Sequence, residues 1–161
     1  MAVYLQKTSP KDGEILKNMY SLYLHDLSAY SGSLKENNEG TYEFDSFSVF
    51  WNKQGVNPYF IIADGERAGF LLLLEPPFTK KVDYIINDFF VYNRFRGKGV
   101  ARRAAQNLFE NKRGSYFVAQ LTRNERAAAF WRKVYNQNGI PFDEYEDEEE
   151  GEAIICQEFT V

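Results

Sequence analysis

The chain has 161 residues, 44% of them hydrophobic and 17% aromatic, with one cysteine, one histidine and a formal net charge of -4. That is enough apolar material for one domain around a single core, and the acidic balance excludes a globally basic nucleic-acid binder. Cys156 and His25 stand alone, which excludes an internal disulfide framework, a multi-cysteine zinc site and a His-rich metal centre.

In chain order, residues 3–7 (VYLQK) alternate as a first strand. Ser9-Pro10 opens a helix with Ile15, Leu16, Met19, Tyr20, Tyr23 and Leu24 at helical spacing. Residues 31–40 read as a loop, and the Phe- and Trp-rich stretch 42–53 as a second, short helix. Two apolar runs within 58–77 flank Asp64-Gly65, a pair suited to the positive φ angles of a tight hairpin turn. A near-continuous apolar strand at 84–91 follows, covered on both faces by its composition. Next come a helix at 99–111, a strand at 115–121 and a helix capped by Asn124 that reaches about Tyr135. Two last strands, near 141–146 and 153–160, are expected to join across the acidic patch 143–152. The order β-α-α-β-β-β-α-β-α-β-β predicts one layered α/β (α+β) domain over 1–161. The N-terminus turns polar early and no apolar run is long enough to cross a bilayer, so a soluble cytoplasmic protein without a membrane partner is expected.

The chemistry concentrates at Arg94-Phe95-Arg96-Gly97-Lys98-Gly99-Val100-Ala101, between a strand and a helix. The first amides of a helix lack intrahelical partners and sit at the positive end of its dipole, and glycine lets an anion approach them. On the local string, an anion site and a plain glycine turn weigh equally. Two phosphate motifs fail: the P-loop spacing is absent, and the dinucleotide fingerprint would need a small residue where Arg102 stands.

Arg94-x-x-Gly97-x-Gly99 does resemble motif A, Arg/Gln-x-x-Gly-x-Gly/Ala, of the GNAT superfamily of acyl-coenzyme-A-dependent N-acetyltransferases. A second block, Asn124-x-x-Ala127-x-x-Phe130-Trp131, is similar to the family's Asn-x-x-Ala-x-x-Phe-Tyr helix. The resemblance implies a mixed, mostly antiparallel sheet of six to seven strands, splayed between the fourth and fifth, with about four helices. It also implies acetyl transfer from acetyl-CoA to a primary amine of a small molecule or peptide, by direct transfer in a ternary complex and without a metal. Backbone amides of 96–101 would hold the coenzyme A pyrophosphate, and the backbone around Phe89, Phe90 and Val91 would pair with the pantetheine arm. Val91 would polarise the thioester carbonyl through its amide. Asn124, Ala127, Phe130 and Trp131 would line the far side of the arm.

Attack on a thioester needs a neutral amine and therefore a base. Asp88 is the carboxylate between Asp83 and the glycine turn and the first candidate, Glu75 a weaker one. The family's tyrosine is replaced by Trp131, whose indole is not an acid. Tyr135, one turn further on the same helical face, is the candidate general acid, against a core role. His25, Tyr20, Tyr23, Tyr30 and Trp51 read as core or acceptor pocket, and the acidic run as a solvated tip or an attractor of cationic amines. Alternatives are a catalytically inactive coenzyme-A-binding regulatory domain, which Trp131 favours, and nucleic-acid binding through Arg94, Arg96, Lys98, Arg102 and Arg103, which the acidic balance opposes. The C-terminal strands and helix faces leave a homodimer open.

Overall fold

A computed structural model describes residues 1–43 and 47–161. Among these described residues, seven strands form one sheet in the order β1-β2-β3-β4-β5-β7-β6. They are β1 (Val3–Lys7), β2 (Val56–Ala63), β3 (Glu66–Leu74), β4 (Tyr84–Val91), β5 (Ser115–Leu121), β6 (Phe142–Glu149) and β7 (Glu152–Thr160). Helices α1 (Gly13–Ser28), α2 (Val49–Asn52), α3 (Val100–Asn111) and α4 (Glu125–Gln137) complete it. Every neighbouring pair is antiparallel except β4 with β5.

Side-chain alternation sorts the core into two layers. Phe60, Ile62, Phe70, Leu72 and Phe90 meet Leu16, Met19 and Tyr20 of α1 and Phe50 of α2. Ile61, Ala63 and Val91 face the other way onto Val100 and Ala104 of α3. Leu71, Leu73, Ile86, Tyr116 and Val118 pack with Leu108 of α3 and Trp131, Val134 and Tyr135 of α4. A fully buried side chain of this size contributes about 1.5–3 kcal/mol. Helix propensities differ by only about 0.7 kcal/mol per residue, so packing holds these helices in place.

Local signals account for most boundaries. Asp64 and Gly65 take φ of 48° and 79°, the left-handed pair that closes the β2–β3 hairpin. Pro10 begins a 3-10 turn (Pro10–Asp12) ahead of α1, and Asp12 accepts from the Ser9 amide at 2.9 Å. Asn124 caps α4 by accepting from the Ala127 amide at 3.3 Å. Two expectations change. The helix expected at 42–53 is only the single turn Val49–Asn52, with residues 44–46 outside the described residues. The last two strands do join across the acidic patch, but β6 runs on to Glu149, so most of the patch is strand and the hairpin turns only at Glu150 and Gly151, with φ of 52° and 80°. β6 is an edge strand, where charged side chains are tolerated and block further pairing. Among the described residues, no helix is long and apolar enough to cross a membrane.

Candidate active site

The site begins at a break in the sheet. β4 and β5 pair in parallel only at Tyr84↔Tyr116, Ile85↔Phe117 and Ile86↔Val118. At that point β4 carries a bulge: Leu72 pairs with Asp88 but Leu73 with Ile86, leaving Asn87 as the extra residue. A bulge bends its strand and resets side-chain alternation. Ile86 and Phe89 therefore share the α3/α4 face, while Asp88 turns toward α1. A cleft of about 750 Å³ opens beyond the bulge, bordered by Asp88, Phe89, Asn124, Ala127 and Trp131.

The free edge of β4 faces this gap. The Tyr92 amide donates to the Ala68 carbonyl of β3 at 2.8 Å. Successive amides of a strand point to opposite sides, so those of Val91 and Phe89 point away from β3, and Phe89 borders the cleft. The Val91 carbonyl points the same way and accepts from Arg96 Nε at 2.7 Å.

At the far end of β4, a 3-10 turn (Asn93–Phe95) leads to the glycine turn and α3. Gly97 and Gly99 hold φ of 73° and 79°, a region that favours glycine. Among the described residues, a Cβ on Gly97 would meet nothing within 4 Å, and one on Gly99 only the Arg102 guanidinium at 3.5 Å. The first amides of α3 thus lie under open space at the positive helix end, with an arginine beside them, which fits a diphosphate. Arg94 is engaged with Glu66 at 3.2 Å, and Arg96 with Asp26 at 2.9 Å. Backbone rather than these two side chains is what the turn offers.

Asp88 lies on the α1 side of the cleft. Tyr20 and Tyr23 donate to its two carboxylate oxygens at 2.9 and 3.1 Å, and Asn87 Nδ2 adds a bond at 3.2 Å. Burial raises its pKa, and the donors from Tyr20, Asn87 and Tyr23 pull it partly back. Burial first, then Asp88 itself, holds the Tyr20 and Tyr23 phenols well above their usual range. Both remain donors. The result is an oriented carboxylate with a raised proton affinity.

Of the other expected residues, Asn124, Ala127 and Trp131 border the cleft, and Phe130 supports it by packing 5.9 Å from Phe89. Tyr135 is not among them. It is fully buried, donates to Gln157 Oε1 at 3.0 Å, and burial drives its pKa far up. Glu75 turns instead to Lys112 at 3.4 Å and Asn57 at 3.2 Å. His25 is exposed against the Tyr42 ring, and Trp51 packs with Phe47 and Phe50. Cys156 is buried beside Phe117 and Ile154, with its thiol pushed up by burial.

Sequence reasoning did not assign Tyr20 and Tyr23 to Asp88, because helix and strand are far apart along the chain. Nor did it place the acidic strand in the cleft wall. Among the described residues, Asp147, Glu148, Glu149, Glu150 and Glu152 line the cleft together with Asp88, against one lysine, Lys80, which lies 3.9 Å over the Phe117 ring. Among the described residues, no group of His, Cys, Asp and Glu is arranged to hold a metal ion.

Comparison with known proteins agrees with this architecture. An acetyltransferase from Thermus thermophilus superposes with a TM-score of 0.69 at 13% identity, covering 100% of this chain and 98% of that one. An N-acetyltransferase from Staphylococcus aureus gives 0.66 at 13% identity, covering 98% and 100%. The structure of AAC(6')-Ib in complex with ribostamycin and coenzyme A gives 0.70 at 14% identity, covering 99% and 94%. No curated protein sequence matches the chain. The Acetyltransferase (GNAT) family model matches residues 16–135. With the splayed β4–β5 pair and the glycine turn at the head of α3, this shows that the chain belongs to the GNAT acetyltransferase family.

Proposed function

We propose that the protein transfers an acetyl group from acetyl-CoA to a primary amine, directly and within a ternary complex. The observation that carries this reading is a cleft that brings the free strand edge at Phe89 beside an oriented carboxylate, with an anion-suited helix end following the far end of β4. The amides of residues 96–101 hold the diphosphate. The β4 edge at Phe89 and Val91 aligns the pantetheine arm, with Phe90 fixing the strand from its buried side. Asn124, Ala127, Phe130 and Trp131 close over the arm.

Asp88 takes the proton from the acceptor's ammonium group, directly or through water, and frees the nitrogen lone pair to attack the thioester carbon. The Val91 amide stabilises the oxygen on which negative charge develops. The carbon–sulfur bond then breaks, and the new amide nitrogen gives up its second proton to water. A thiol has a pKa of about 8.5, so it leaves as a thiolate that water can protonate, and no buried phenol is needed. The carboxylates of β6 and β7 favour a cationic acceptor. The AAC(6')-Ib complex, whose structure holds ribostamycin, is one precedent for an amine-rich acceptor on this fold.

Calorimetric titration with acetyl-CoA and coenzyme A tests the reading, repeated on the double variant Gly97→Glu, Gly99→Glu. Binding by the wild type and loss in the variant are expected, with turnover on a panel of amines. Binding without turnover on any amine favours the regulatory alternative, which Trp131 at the family's tyrosine position supports. Absence of binding to the wild type refutes the proposal.

A further inference from the structure

A chain of hydrogen bonds runs under the cleft and ends in an unanswered acceptor. At the surface, Arg132 grips both oxygens of Glu144, at 2.8 and 2.9 Å. Gln157, completely buried, donates its Nε2 to Glu144 Oε1 at 2.9 Å. The Arg132 bond first, and the Gln157 bond second, hold the Glu144 carboxyl below its usual range, so it stays an acceptor. That dictates the orientation of the Gln157 amide. Its Oε1 must face inward, where it accepts from the Tyr135 hydroxyl at 3.0 Å and from Gln120 Nε2 at 3.4 Å. Turning the Gln120 amide over would set two carbonyl oxygens against each other. The relay thus commits the Gln120 nitrogen and leaves its Oε1 over.

Among the described residues that oxygen has no hydrogen-bond partner, and Gln120 as a whole is only 8% exposed. An unmet buried acceptor keeps the full cost of its lost hydration. Gln120 borders the cleft. By alternation along β5 it shares the face of Tyr116 and Val118, the α3/α4 side where Asn124, Ala127 and Trp131 stand. It lies past Val118, where pairing with β4 has ended.

We propose that Gln120 Oε1 accepts a hydrogen bond from a secondary-amide N–H of the pantetheine arm of the acyl donor, in an orientation set from the surface by Arg132, Glu144 and Gln157. The inference rests on the proposed coenzyme A reading and assigns a further binding residue within it. Two consequences follow from the orphaned oxygen. An apolar residue of the same shape removes an unmet polar group, so Gln120→Leu leaves the ligand-free protein as stable as the wild type or more so. It also removes the acceptor, weakening coenzyme A by about five- to tenfold.

The experiment is calorimetry of wild type, Gln120→Leu and the more flexible isostere Gln120→Met with coenzyme A alone, so that no acceptor amine contributes. 3′-Phosphoadenosine 5′-diphosphate, which carries the diphosphate without pantetheine, is titrated in parallel, with thermal melting of each ligand-free protein. Expected are weaker coenzyme A binding in both variants, unchanged binding of the nucleotide, and no loss of melting temperature. Coenzyme A binding equal to wild type overturns the assignment. So does parallel weakening of both ligands, or a marked drop in melting temperature in both variants, because either marks a structural role. If the wild type itself binds no coenzyme A, the parent reading fails, and the assignment fails with it.

Discussion

Gly69→Ala is a one-carbon change that tests how closely β3 and β4 must approach. Gly69 pairs with Val91, the residue whose amide is proposed to hold the developing oxyanion. A Cβ at Gly69 would overlap the Phe90 carbonyl oxygen and lie 2.9 Å from both the Phe90 carbonyl carbon and the Val91 Cα. All three atoms are backbone, so no rotamer relieves the clash. Carbon atoms rest at about 3.5–4.0 Å, so the strands must part by roughly 1 Å at Val91. Overpacking of this kind costs about 1–3 kcal/mol. For a domain of this size each kcal/mol lowers Tm by about 2–4 °C, so a fall of roughly 2–12 °C is expected. A 1 Å misplacement of a catalytic group costs about a hundredfold in rate. The expected pattern is a large fall in kcat with a smaller loss of coenzyme A affinity, because the diphosphate end is held by the head of α3 rather than by β3. Urea denaturation, calorimetry and thiol release on an active amine measure the three quantities. A variant with wild-type stability and wild-type kcat refutes the reasoning.

Other predictions concern the groups around the cleft. Tyr23→Phe removes a donor to the Asp88 carboxylate, so the Asp88 pKa rises further and the acidic limb of the kcat/KM profile moves to higher pH; an unmoved limb excludes Asp88 as the titrating base. Tyr135→Phe costs about 1 kcal/mol of stability through the lost bond to Gln157 and leaves kcat unchanged, measured by denaturation and turnover. A collapse of turnover with the fold intact would return the phenol to the mechanism. The triple change Glu148→Gln, Glu149→Gln, Glu150→Gln raises KM for cationic acceptors, leaves kcat in place and flattens the dependence of KM on salt. Steady-state kinetics across ionic strength check it.

Much of this protein was legible without coordinates because its signals are local. The pair Asp64-Gly65 specifies a hairpin through its own φ preferences, and Asn124 caps the helix that starts beside it. Gly97 and Gly99 mark the helix head by spacing alone. The order of elements and the two family blocks followed from the same kind of evidence. Tertiary structure decided what no neighbouring residue could. One extra residue at Asn87 reset the alternation of β4, which turned Asp88 toward Tyr20 and Tyr23 of a distant helix. Packing against Phe142 and Phe159 closed Tyr135 into the core, although helical spacing had put it on a promising face. The acidic run is a solvated charge cluster by composition, and it became a cleft wall because the β6–β7 hairpin runs on past the end of β5, whose Leu121 pairs with Ile154. Helix caps and turns are settled by energies within a few residues. Strand register, bulges and the direction of a side chain are settled by contacts between segments tens of residues apart.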